Sequence, residues 1–225
     1  MSQIFSHLDP QYIAKRNLMA GGKYNGAYYY SKEIVENIIP NVKTKRNWVT
    51  INIPGYGFDN SIVFIHSGID PIGPYMWLRN YRNLVIVCFK PEMLEICRRF
   101  GKTVYLPLSV DVEYVSKFKY EGEMDPRPCY VGNKWGYKAN DLAKYLPEDC
   151  VHYNGLPRDE LLTKMARHSG KVYAVGRCAI EALVLGKELG MCDSRWPDTS
   201  VWKILDNRDA AKILQKELDK IDGRK

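Results

Sequence analysis

Short apolar runs alternate with helical patterns along the middle of the chain. The runs "SIVFIH" (61–66) and "LVIVCF" (84–89) are almost continuously apolar, which is typical of strands that are buried on both faces. The second run leads through Pro91 into a helical pattern over 91–100. Further strand patterns lie at 48–53 and 103–108. Helices placed between buried strands predict an α/β fold with a parallel sheet.

A polar stretch without apolar periodicity, "KFKYEGEMDPRP" (117–128), interrupts this alternation and predicts a domain boundary. Beyond it, strand patterns at 129–132, 151–154 and 171–175 alternate with helical patterns at 139–146, 158–168 and 178–185. We therefore predict an N-terminal α/β domain over 1–118 and a C-terminal α/β domain over 128–206, both with Rossmann-like parallel sheets, facing a shared cleft. A closing helix within 207–225 is expected to pack back on the sheets through Ile213, Leu214, Leu218 and Ile221.

The N-terminal part of the chain has weaker patterns. Ser31 is placed to cap a helix that runs to about Ile39. No apolar run is long enough to cross a membrane, and the first residues lack the apolar core of a secretory signal, so we expect a cytoplasmic protein without a membrane span. The six cysteines form no C-x-x-C pair and share no metal-ligand spacing with the four histidines, so we expect reduced, mostly buried thiols and no metal.

The charge balance adds a class of partner. The formal net charge is +7, with modest basic clusters at 43–46, 97–102 and 117–120. A basic protein suits an anionic partner, which leaves nucleic acid, a membrane surface or a phosphorylated small molecule open. Ordinary solubility is the alternative explanation of the same charge.

The stretch "AVGRCAIEALVL" (174–185) predicts a strand, a turn at Gly176 and a helix that starts near Arg177. Such a junction directs backbone N–H groups and the positive end of a helix dipole toward the space above the strand, which suits a phosphate. Glu181 would lie one turn into the helix, within reach of a ribose attached to that phosphate. The alternative is an ordinary turn glycine followed by a helix without a ligand.

The order of these segments resembles the GT-B glycosyltransferases, which have two Rossmann-like domains and hold a nucleotide-sugar in the C-terminal one. Four stretches carry the resemblance, which covers about residues 48–190: "VYLPLSVDVEYV" (104–115), "CYVGNKWGYKANDLAKYL" (129–146), "VHYNGLPRDELLTKMAR" (151–167) and "VGRCAIEALVLGKEL" (175–189). The resemblance implies that 1–118 is an acceptor-side domain and that 128–206 binds the donor.

The resemblance also implies roles for individual residues. Glu181 matches the glutamate that binds the donor ribose, and the turn of Gly176, Arg177 and Cys178 matches the one that meets the diphosphate. Lys138 stands where relatives place a phosphate-neutralising lysine, while Asn133 and Lys134 occupy the position of an arginine in many of them. The segment around Gly155 corresponds to the loop that contacts the base.

Sugar transfer with inversion requires a general base close to the acceptor hydroxyl. His66 ends an apolar strand pattern and is the first candidate, with Asp59 and Asp70 in neighbouring loops as the other catalytic candidates. His66 could equally serve to hydrogen-bond a loop, and a retaining enzyme would need no such base. His152 is expected to be a satisfied core residue and His168 a charge at a helix C-terminus.

The sequence thus predicts a glycosyltransferase that moves a sugar from a nucleotide-diphosphate donor, expected to be a UDP-sugar, to a hydroxyl acceptor. No tightly bound cofactor is expected. The acceptor is not identified, and the basic charge would suit a modified base in phage DNA. A protein that binds or sequesters the nucleotide or nucleotide-sugar without transfer is the alternative.

Overall fold

A computed structural model describes residues 3–6, 19–20, 23–24, 26–51, 57–65, 73–131, 146–153, 155–191 and 199–223. Its strands are β1 (Gln3–Ser6), β2 (Met19–Ala20), β3 (Lys23–Tyr24), β4 (Trp48–Ile51), β5 (Ser61–Ile65), β6 (Val85–Cys88), β7 (Lys102–Tyr105), β8 (Cys129–Val131), β9 (Val151–Tyr153) and β10 (Val172–Ala174). Its α-helices are α1 (Gly26–Glu33), α2 (Met93–Arg98), α3 (Val112–Ser116), α4 (Arg158–Ala166), α5 (Arg177–Val184) and α6 (Asn207–Asp222). A π-helical turn (Ile34–Ile38) and 3-10 segments at Ile39–Asn41, Gly73–Asn80 and Thr199–Val201 complete the set.

The chain forms two compact units. The first comprises residues 1–19, 25–108 and 207–225, and the second comprises 20–24 and 109–206. The chain enters the second unit just after Leu108, because the amide of Val110 donates to the carbonyl of Leu205 at 3.0 Å and that of Val112 donates to Oδ2 of Asp206 at 3.2 Å. The stretch 117–128, predicted as the boundary, therefore lies inside the second unit.

The first unit is built on a five-stranded sheet in the order β1-β4-β5-β6-β7, in which every pair of neighbours is parallel. Every residue of β5 and β6 is buried, which explains why both strands are nearly continuous apolar runs. The prediction of a parallel α/β sheet is confirmed. The helix expected to begin at Ser31 begins instead at Gly26, and Ser31 is buried inside it.

Helix α6 packs within the first unit, against the π-helical turn and β7. Its buried apolar face is formed by Ala210, Ala211, Leu214 and Leu218. Two buried polar contacts fix its ends. At the start, Nδ2 of Asn207 donates to Oε2 of Glu33 at 3.2 Å, and at the end Arg46 and Asp222 form an ion pair at 3.0 Å with side chains only 6% and 5% exposed.

The second unit contains a three-stranded parallel sheet in the order β10-β8-β9. Residue Tyr130 in the central strand is level with Tyr173 on one side and His152 on the other. Helix α3 starts with Asp111 as its N-cap, whose Oδ1 accepts a hydrogen bond from the amide of Tyr114 at 2.8 Å. Helices α3 and α4 both pack on α5, which directly follows β10.

Candidate functional site

The candidate site lies at the carboxyl edge of the second unit's sheet. Because β8, β9 and β10 are parallel, their last residues Val131, Tyr153 and Ala174 lie along the same edge. Helix α4 begins five residues after β9, and α5 begins three residues after β10. Open parallel sheets bind their ligands beyond this edge, where the helix N-termini also lie.

Gly176 makes the turn between β10 and α5. Its φ of 62° and ψ of −132° lie in a region that L-residues with a side chain avoid, so the tight turn requires glycine. Its carbonyl accepts hydrogen bonds from the amides of Ala179 and Ile180, which starts the helix. The first turn of a helix leaves N–H groups without partners in the helix itself, and these groups can bind an anion.

Two arginines meet the carboxylate of Glu181 at this turn. Nε of Arg177 lies 3.0 Å from Oε1 of Glu181, and Arg158 contacts the same oxygen through Nε at 3.1 Å and Nη2 at 3.0 Å. Arg177 and Glu181 are buried and Arg158 is largely buried, with side-chain exposed fractions of 9%, 3% and 12%. Among the described residues, both arginines reach Oε1 and no donor reaches Oε2. One carboxylate oxygen thus holds two guanidinium groups.

Helix α3 supports this cluster from one side. The guanidinium of Arg158 lies 4.8 Å from the centre of the Tyr114 ring, a cation–π contact, and the Tyr114 hydroxyl donates to Oδ1 of Asp159. Arg158 is thus held by both an aromatic ring and a carboxylate. Because its rotamer is fixed from two directions, the positive charge at the edge is preorganised.

Cys178 follows Arg177 in the first turn of α5. Burial, with a smaller contribution from the nearby charge of Glu181, raises the pKa of the Cys178 thiol to about 12. The thiol is therefore protonated at neutral pH, and a protonated thiol is a weak nucleophile. Its part in a site would come from its backbone amide, as the sequence reading proposed.

The structure brings together four of the predicted site residues: Gly176, Arg177, Cys178 and Glu181 all belong to one turn of chain at the β10–α5 junction. Gly155 follows β9 at the same edge, has a φ of +61°, and a Cβ added there would meet no atom within 4 Å. The predicted residues His66, Asp70, Asn133, Lys134 and Lys138 lie outside the described residues.

Asp59 is the one catalytic candidate within the described residues, and its position does not suit that role. It precedes β5 and therefore lies at the amino edge of the first unit's sheet, opposite to the edge where parallel sheets bind ligands. Its Oδ1 accepts a hydrogen bond from the amide of Arg82 at 2.7 Å. Asp59 thus caps the loop before β6.

Sequence reasoning missed Arg158 and Tyr114. Arg158 was read only as the start of a helix, and its partner Glu181 is 23 residues away, so the pairing depends on the packing of α4 against α5. The sequence offers one sign of this pairing: Arg158 and Arg177 each follow the end of a predicted strand by no more than five residues.

The expectation that His152 is a satisfied core residue was wrong, whereas His168 does follow the C-terminus of α4. His152 is exposed because β9 is an edge strand of the sheet. His168 is buried and lies between two partners, with Nδ1 2.9 Å from the carbonyl of Arg127 and Nε2 2.8 Å from the Tyr153 hydroxyl. A carbonyl only accepts, so Nδ1 donates to Arg127, and Nε2 shares the second hydrogen bond with the Tyr153 hydroxyl.

Comparisons with known proteins identify no relative of the chain. No protein family matches the chain, and neither the curated proteins nor the solved structures contain one that is significantly similar to it. Among the described residues, no helix has the length and apolar character of a membrane span, and no three His, Cys, Asp or Glu side chains are grouped as a metal site.

Proposed function

We propose that the chain is a glycosyltransferase whose second unit binds a nucleotide-diphosphate sugar at the β10–α5 junction. The observation that carries this proposal is the buried Arg158–Glu181–Arg177 cluster beside the glycine turn. Two guanidinium groups fix one carboxylate oxygen and leave Oε2 as an acceptor for a ribose hydroxyl. The same guanidinium groups and the first-turn amides of α5 provide positive potential for the diphosphate.

The cluster suits the leaving group of sugar transfer. When the glycosidic bond breaks, the nucleotide diphosphate gains negative charge, and preorganised positive groups stabilise that charge in the transition state. Both arginines are already held by Glu181, and Arg158 also by the Tyr114 ring, so they need little reorganisation to act in this way. The acceptor molecule would supply the hydroxyl, and another part of the protein would supply the base that takes its proton.

Titration calorimetry with a series of ligands tests the donor site without changing the protein. We expect UDP and UDP-glucose to bind, and uridine and 2′,3′-dideoxy-UDP to bind at least about tenfold more weakly. Uridine lacks the diphosphate, and the dideoxy compound lacks the hydroxyls that would donate to Glu181, a charge-assisted bond of about 1.5–3 kcal/mol. Equal affinity for UDP and dideoxy-UDP would remove the ribose from Glu181, and absence of any nucleotide binding would refute the donor site.

Hydrogen exchange then locates the ligand. Binding at the proposed position should slow exchange of the amides of 176–181, whereas protection confined to other segments would contradict it. Release of UDP from UDP-glucose, with and without added hydroxyl acceptors, tests transfer itself.

A binding protein without transferase activity is the second candidate. It is favoured by the position of Asp59, which lies at the amino edge of its sheet and caps a loop there. Tight nucleotide-sugar binding with no release of nucleotide over a range of acceptors would support this second candidate over the first.

A further inference from the structure

The excess positive charge of the chain belongs entirely to one of its two units. The sequence ranges of the first unit contain 18 Lys and Arg against 11 Asp and Glu, a formal net charge of +7, and those of the second contain 15 of each. The unit with the candidate donor site is therefore neutral overall. The charge of the other unit requires its own explanation.

Parallel topology gathers cations at the amino edge of the five-stranded sheet. The loops that precede β4, β5, β6 and β7 lie side by side there, and backbone hydrogen bonds join them: the amide of Asn47 donates to Asn60, that of Asn60 to Arg82, and that of Lys102 to Leu84. With strands about 4.8 Å apart, these four loops span about 14 Å. The basic clusters at 43–46 and 97–102, which are far apart in sequence, thereby reach one edge.

Exposed cations line this edge. Lys45, Arg82 and Arg99 are exposed in three of the loops, and the exposed Arg79 lies 5.8 Å from the ring of Phe100, next to Arg99. None of these four cations is paired with a carboxylate in the described part of the chain.

The C-terminus of α6 also lies at this edge. The ion pair between Arg46 and Asp222 holds it there, and Nζ of Lys102 donates to the carbonyl of Ile221 at 3.1 Å.

Two carboxylates close to this edge, Asp222 and Glu217, are paired with cations, whereas Asp59 keeps its charge. Asp222 is buried against Arg46, Asp59 accepts a hydrogen bond from the amide of Arg82, and Glu217 is paired with Lys220. The four cations thus keep their charge at the surface. Cations at the ends of α2 and α6 also complement the helix dipoles, but Lys45 and Arg82 are in loops before strands and have no such role.

The chemistry of the edge favours a polyanion over a membrane. Membrane insertion requires large exposed apolar side chains. Among the described residues, Met76 is such a residue in the 3-10 segment that carries Arg79. The others are outside these loops, at Tyr105, Tyr120, Val175, Met191, Val201 and Ile204. Duplex DNA carries one negative charge per about 1.7 Å of its axis, so an edge of about 14 Å faces several phosphates. We propose that this amino edge binds the phosphate backbone of nucleic acid without reading its sequence.

Fluorescence anisotropy with a labelled 20-base-pair DNA duplex tests the proposal. We expect the full-length protein to bind at micromolar concentration in 50 mM salt, equally for two unrelated sequences, with log affinity falling against log salt at a slope near −4. The variant Lys45→Gln/Arg82→Gln/Arg99→Gln should bind at least about tenfold more weakly, with a slope flatter by about 2 to 3. An RNA duplex of the same sequence shows whether DNA or RNA is preferred.

The matched control removes the same charge from the second unit. Lys117→Gln/Lys119→Gln/Lys203→Gln replaces three exposed lysines there and should leave both affinity and slope close to those of the parent. The proposal is overturned if the parent does not bind at 50 mM salt, if the first variant binds like the parent, or if the control loses as much. Retention of UDP binding by both variants would show that this surface is independent of the proposed donor site.

Discussion

Replacing Glu181 by Gln should destabilise the protein strongly, because Glu181 neutralises two buried arginines. Its side chain is 3% exposed, and its Oε1 lies 3.0 Å from Nε of Arg177 and from Nη2 of Arg158. Glutamine has nearly the same shape but removes the negative charge that both guanidinium groups contact through Oε1 of Glu181. Removing one member of a buried ion pair costs about 3–5 kcal/mol.

The matched control is Glu160→Gln in the neighbouring helix. Glu160 and Lys164 form an i,i+4 pair at 3.9 Å with side chains 48% and 43% exposed, so its loss should cost no more than about 0.5 kcal/mol. Urea denaturation followed by circular dichroism gives the free energy of unfolding of both variants and of the parent. If the free energy of unfolding of Glu181→Gln is within about 1 kcal/mol of the parent's, the buried ion pairs of Glu181 do not stabilise the fold. A saturating diphosphate should restore part of the lost stability, since it supplies the missing negative charge.

Two further predictions concern the other buried groups. Asp222→Asn should lower the free energy of unfolding by about 3–5 kcal/mol, because the substitution removes the negative charge of a buried ion pair with Arg46. Asp209→Asn, at an exposed pair with Lys212, should change it by at most about 0.5 kcal/mol. Equal urea midpoints for the two variants would contradict this. The Cys178 thiol, whose pKa burial raises to about 12, should resist iodoacetamide at pH 8 in the folded protein and react in urea, as peptide mass spectrometry can measure; rapid labelling of the native chain would refute the burial.

The sheet strands could be predicted from the sequence because their burial determines their composition. Strands β5 and β6 are buried on both faces, and their runs of Ile, Val and Phe give a signal that needs no knowledge of the neighbours. The start of α5 was equally accessible, since a positive φ at Gly176 requires the residue type that the sequence has there. The start of α1 was not, because Ser31, which has the composition of an N-cap, is buried in the middle of the helix.

Residues whose role depends on distant partners could not be predicted in this way. His152 follows Val151 in an apolar strand pattern and is exposed on an edge strand. His168 stands between the polar residues Arg167 and Ser169, yet it is enclosed by Tyr153 and the backbone of Arg127. The difference comes from strand order and from how the chain turns after α4. Neither property is encoded in local periodicity.

The same argument explains why two basic clusters with weak signals in the sequence form one surface. Residues 43–46 and 97–102 are separated by about fifty residues, and each alone has the charge of an ordinary solvated loop. Parallel strands enter the sheet at one edge, so the loops before β4, β5, β6 and β7 must adjoin whatever their separation along the chain. The cluster at 117–120 has similar charge but lies in the second unit. Cations that the topology brings to one edge attract a polyanion at a defined place, whereas cations spread over a surface do not. Neutralising three cations in the first unit should therefore weaken DNA binding more than neutralising three in the second.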